Sequence, residues 1–182
     1  FLTALPDVLL AGGNIDYYIN KKGDTRYKSL YMYYSTVWHE LTHASNLQRV
    51  KSEKGSGAAS TYWSGLVGTE VGNAIVTGGD SSYGKKGDNN WQQVALCEGW
   101  ANYIGTWTMP DKYLSYYQPR SGFPYDYQKM FDELAKSGCS IANLEKCLTV
   151  KTFSEYKNLL TAVYASDTSL KSKITSIVDR YY

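Results

Sequence analysis

The chain lacks several features that would assign it to a class at once. Its three cysteines include no Cys-x-x-Cys pair, which argues against a thiolate zinc site. It has no long basic run and a net charge of only +2, so there is no electrostatic footprint for nucleic acid. Its uncharged apolar stretches are too short or too polar to cross a bilayer. No internal repeat and no low-complexity tail is present. No secretory leader is visible and residue 1 is Phe, not Met, so the chain reads as processed or excised from something longer. Cys139 and Cys147, eight apart, could pair in an oxidising compartment and leave Cys97 over. Three reduced, buried thiols are an equally good reading. Histidine is the scarcest informative residue, with two in 182 positions, so no site here can use three imidazoles.

What is present suits one globular domain with a sizeable core. The 18 tyrosines beside 5 tryptophans favour a surface or cleft lined by amphipathic rings. Residues 8–34 read as extended structure. Ile15, Tyr17 and Ile19 alternate with Asn14, Asp16 and Tyr18, residues 21–24 signal a turn, and Tyr27 to Tyr34 forms a second aromatic-rich segment. A hairpin or small sheet is expected there. A helix over 36–50 follows, with Ser35 and Thr36 as capping types. Val37, Leu41, Ala44 and Gln48 share one of its faces and are expected to pack inward, with His39 and His43 looking out of the core.

Residues 51–90 hold nine of the 16 glycines. They read as a long excursion with at most a short helix over 64–75, bordering the cleft because both its ends adjoin the motif helices. A second strong helix spans 91–108 and is stopped by Pro110, and Pro119 and Pro124 mark a loop. The remainder is expected as helices over 125–137, 141–148, 153–165 and 169–181, with capping-box spacing at Thr152 and Glu155. The expected class is α+β, mainly α: an N-terminal β-hairpin or small sheet, two motif helices and a helical C-terminal part.

The chemistry is carried by His39-Glu40-Leu41-Thr42-His43, an HExxH sequence. Positions four apart lie about one helical turn from each other, so both imidazoles reach one point in space. Neutral imidazoles are good zinc ligands, and Glu40 can reach a metal-bound water without binding the metal. Both histidines of the chain fall in this motif.

Zinc with two imidazoles needs a further protein ligand. The metzincin pattern HExxHxxGxxH is excluded, because Asn46 and Arg49 stand at its Gly and last His positions. The ligand must then be Asp or Glu, with Cys a poor second choice. Glu98 is the only charged residue from Trp91 to Met109. Leu96, Trp100, Tyr103 and Trp107 form a bulky stripe on that helix. Glu98 lies opposite, among Ala95, Ala101, Asn102 and Gly105, where small residues admit another helix and a lone carboxylate needs a partner. Glu70, Asp80 and Asp88 are the runners-up.

The segment Leu96-Cys97-Glu98-Gly99-Trp100-Ala101-Asn102-Tyr103 resembles the LNEGFASY-type segment of gluzincin aminopeptidases, whose Glu is the third zinc ligand. Together with HELTHA it resembles the gluzincin core. The resemblance implies a zincin-like catalytic domain with zinc ligands His39, His43 and Glu98 and a general base at Glu40. It covers only the two motif helices. The 54 residues between His43 and Glu98 far exceed that family's spacer, and its GxMEN segment for a substrate's free amino end is absent. The aminopeptidase label does not transfer, and the reading is a gluzincin-like peptidase of unassigned family.

The expected activity is therefore zinc-dependent hydrolysis of peptide bonds in a peptide or protein substrate. A tyrosine is the natural oxyanion donor, and Tyr113, Tyr116, Tyr117, Tyr125 and Tyr127 follow the Glu98 helix. Asn102, one turn after Glu98, either orients a ligating His or bonds to nearby backbone. The alternatives are a non-catalytic zinc-containing module for protein or glycan binding and a zinc hydrolase of a non-peptide bond. The aromatic, Asn- and Gly-rich composition leans towards a secreted or cell-envelope location.

Overall fold

Helix formation in this chain starts earlier than its aromatic pattern suggests. A computed structural model describes residues 26–77, 82–111 and 120–182, with side chains from residue 34 onward. Its first helix, α1, spans Arg26–Lys54 and so takes in the segment Tyr27 to Tyr34 expected as a strand. From Asp24 to Lys54 the chain has neither Gly nor Pro, so nothing stops a helix from propagating. Aromatic enrichment, which suggested extended structure, is a weaker and context-dependent signal. Among the described residues there is no strand, and the class is all-α instead of α+β. The rest of the expected hairpin, residues 8–25, lies outside the described residues.

The glycine-rich stretch is also helical. Helix α2 spans Ser56–Thr77, far longer than the short element expected at 64–75. Gly55 alone separates it from α1. Its φ of +86° and the bond from its N–H to the Lys51 carbonyl (2.9 Å) form a left-handed cap that turns the chain back. Tertiary burial then overrides four interior glycines: Ala59, Tyr62 and Leu66 are buried along one side of α2.

Not all of these glycines are required. A Cβ at Gly68 or Gly72 would meet nothing within 4 Å, and both positions are exposed. Replacing either by Ala is expected to stabilise the protein by about 0.5–1 kcal/mol. Thermal melts of the double variant should show a midpoint about 2–8 °C higher. A lower midpoint would mean that these glycines serve some purpose other than helix formation.

Helix α3 (Trp91–Trp107) is the centre of the molecule. Its Leu96, Trp100 and Tyr103 join the main core with α4 (Tyr127–Lys136), α5 (Ile141–Lys146), α6 (Phe153–Val163) and α7 (Thr168–Tyr181). Trp107, expected in the same stripe, is exposed. Val94 and Cys97 face a second cluster with Leu47 and Val50 of α1 and Ala59, Tyr62 and Leu66 of α2. The expected capping box at Thr152 and Glu155 is present at the start of α6. Cys97, Cys139 and Cys147 are buried free thiols. None of the described helices is long and apolar enough to cross a membrane.

Two glycines of α3 set how closely its neighbours approach. A Cβ at Gly105 would lie 2.8 Å from the Ser35 carbonyl oxygen of α1, and one at Gly99 would lie 2.7 Å from Tyr127 Cβ of α4. Gly105 therefore meets the early part of α1, while Val94 and Cys97 meet its later part. The two helices run antiparallel, and the middle of α3 faces the HELTH segment.

Candidate metal centre

Helix α1 turns its histidine face inward. Thr42, His43, Asn46, Leu47 and Val50 are buried, while Leu41 and Gln48 are exposed. This reverses the orientation expected from Val37, Leu41, Ala44 and Gln48. The reversal is tolerated because each buried polar group on that face has a partner. Thr42 Oγ1 donates to the Trp38 carbonyl (2.6 Å), and Asn46 Nδ2 donates to the Leu148 carbonyl (3.0 Å). His43 finds Glu98.

His39 Nε2 lies 3.2 Å from Glu98 Oε2, and His43 Nε2 lies 3.0 Å from Glu98 Oε1. The two imidazole Nε2 atoms are 3.1 Å apart, with their rings nearly perpendicular at 82°. Three donors from two helices thus converge, and the group is one that could hold a metal ion. The spacing fits that use. A tetrahedral ion with bonds of about 2.0–2.1 Å separates its ligand atoms by about 3.3–3.4 Å. The chemistry fits as well. Glu98 Oε2 is buried and makes no hydrogen bond, and a cation at the centre would satisfy it together with both nitrogens.

The electrostatics follow from this convergence. Burial opposes the charge on Glu98, but its attraction to His43 and His39 outweighs it and holds the carboxyl well below the usual range. Burial likewise opposes protonation of His43. Its attraction to Glu98, with a smaller effect from Glu40, still raises its pKa. The His43 ring also packs edge-on against Trp63 of α2, 6.2 Å between centroids.

Glu40 is half-buried beside His39 and is not one of the converging donors. Its charge is felt at both His43 and Glu70. Glu70, a runner-up ligand, faces Glu98 from α2. Burial, then the charge and hydrogen bond of Glu98, push its carboxyl up to about 9. Asp88 lies elsewhere: its Oδ2 accepts from the Lys85 N–H (3.0 Å) and closes a turn. Asp80 is outside the described residues. Asn102 bonds to backbone, with Nδ2 donating to the Glu98 carbonyl at 2.8 Å.

Among the described residues, a tyrosine that feels the charge of the centre is Tyr83, which is not among those expected. Burial, then the charge of Glu98, keep the proton on its hydroxyl. Tyr127 is buried in the main core, and Tyr125 packs edge-on against Tyr83 at 6.1 Å. Tyr113, Tyr116 and Tyr117 lie outside the described residues. Tyr83 was hidden by numbers, since one of 18 tyrosines carries no motif. Its position in the excursion expected to border the cleft was the available signal. That excursion does border the centre, through Trp63, Glu70 and Tyr83.

Comparison with protein-family models, with curated proteins and with solved structures finds no match.

Proposed function

We propose that this chain is a zinc-dependent peptidase whose metal is held by His39, His43 and Glu98. The observation that carries the reading is the meeting of the HExxH histidines with Glu98, while Glu40 stands beside the donor set without joining it. Two imidazoles and one carboxylate are a donor set that suits zinc and leaves a coordination position free. Zinc bound there would acidify a water and polarise a carbonyl.

The chain's own groups divide the remaining work. His39 and His43 are oriented by one helix, so their spacing is fixed before any ion arrives. Glu98 supplies the negative charge that the histidines lack. Glu40 takes the proton from the attacking water and returns it to the departing amine. A site serving structure alone would have no use for such a carboxylate at the motif's second position.

Elemental analysis of the dialysed protein should find one zinc per chain, and His43→Ala should lower zinc affinity by at least about 100-fold. The zinc-loaded wild type should cleave members of a broad peptide library. If it holds zinc and cleaves nothing, the protein is a binding module or acts on another bond. If it holds no zinc, the metal reading itself falls.

A further inference from the structure

We infer, on the zinc reading above, that Trp63 is a positioning residue of the metal centre: its ring, supplied by α2, holds the His43 imidazole in the orientation that brings Nε2 to the donor set. A ligating histidine is usually oriented by a hydrogen bond at its other ring nitrogen. Among the described residues, no protein group fills that role for His43. Its polar contacts, to His39 and to Glu98, both run through Nε2. The torsion that turns an imidazole is broad and roughly two-fold, so packing must select one plane for such a ring. Two described rings touch His43. One is His39, itself a donor, with centroids 4.7 Å apart, and the other is Trp63, edge-on at 6.2 Å and 62°. Trp63 is thus the ring outside the donor set that can select the plane.

Trp63 is itself held in place. It is half-buried and packs against the cluster that includes Leu47 of α1, Leu66 of α2 and Val94 and Cys97 of α3. The backbone beside it is tied to two other parts of the fold. The Tyr62 carbonyl accepts from Gln93 Nε2 of α3 at 2.7 Å, and the Tyr62 hydroxyl donates to the Leu148 carbonyl, after α5, at 3.0 Å. Two residues beyond Trp63, Gly65 lets α2 lie close to α3, since a Cβ there would stand 3.2 Å from Gln93 Oε1. A helix anchored in this way offers its ring at a fixed point, which a positioning contact requires. Helix α2 supplies none of the three converging donors, yet through Trp63 it shares in setting their geometry.

The test is Trp63→Leu, which removes the ring and keeps an apolar side chain. Zinc affinity, measured by competition with a chromophoric chelator, should fall about 2- to 10-fold, the worth of one aromatic contact. The visible absorption of the cobalt-substituted protein should change in band position or intensity, because that spectrum reports ligand geometry. Trp63→Phe keeps an aromatic ring at the position and should lose less on both measures. Leu66→Ala opens the same cluster and leaves Trp63 in place. It should lower the melting temperature of the metal-free protein and keep the wild-type cobalt spectrum. If Trp63→Leu fails to fold, Trp63→Met, which fills more of the space, carries the same expectations. Wild-type zinc affinity and an unchanged cobalt spectrum in the ring-less variant would overturn the inference while leaving the zinc reading intact. A spectral change of equal size in Leu66→Ala would overturn it as well, by tracing the effect to loosened packing. A wild type that binds no zinc would overturn both readings.

Discussion

Glu40→Gln should slow hydrolysis by at least about 100-fold and leave zinc at one per chain. Gln preserves the size of the side chain and much of its hydrogen bonding but cannot accept a proton. General-base catalysis contributes about 10²–10⁴-fold, so kcat/KM should fall by at least 100-fold, equivalent to about 2.7 kcal/mol or more of transition-state stabilisation. Zinc should be retained because Glu40 lies outside the three converging donors. Paired elemental analysis and peptide hydrolysis check both halves. Loss of zinc would place Glu40 among the ligands. Equal cleavage by wild type and variant would move the activity away from this motif.

Gly99→Ala should be among the most damaging single-methyl additions in the protein. The new Cβ would lie 2.7 Å from Tyr127 Cβ and 3.1 Å from the Tyr127 carbonyl carbon. Neither atom is the end of a flexible side chain, so the backbones of α3 and α4 must move apart. Such overpacking costs typically 1–3 kcal/mol, and the better helix propensity of Ala recovers only part of it. The melting midpoint should drop by roughly 4–8 °C for a net cost near 2 kcal/mol. Because Glu98 is the preceding residue, zinc affinity should fall as well. A midpoint equal to wild type would show that the α3–α4 approach is looser than the contact distances imply.

The chemistry of this centre was more legible in the sequence than the fold around it. The i, i+4 spacing of His39 and His43 is a local property of any helix, so their convergence needed no knowledge of tertiary structure. Glu98 was legible by contrast, as the one charge on a long apolar helix. The direction in which α1 faces was not legible. Hydrophobic periodicity placed Leu41 inside and the histidines outside, whereas hydrogen bonds from Thr42 and Asn46 and the pairing with Glu98 make the polar face the buried one. Helix α2 was obscured for a related reason. Its glycines lower intrinsic propensity, and only the burial of Tyr62 and Leu66 against other helices restores the balance. The segment from Tyr27 onward is helical and not a strand because no Gly or Pro interrupts it, whereas aromatic content favours strands only where a sheet is there to receive them.

The donors at the centre come from two helices, with 54 residues between His43 and Glu98 in the chain. An ion held by both is a reversible crosslink, present only when free metal exceeds its dissociation constant. Unfolding must then release the ion, so stability rises with the logarithm of its concentration, by about 4.1 kcal/mol at a thousandfold excess over that constant. Among the residues with described side chains, α1 contributes Leu47 and Val50 to the smaller apolar cluster, whereas α3 is anchored in both clusters. Metal removal should then loosen the contact between α1 and α3 first, which limited proteolysis with and without a chelator would register.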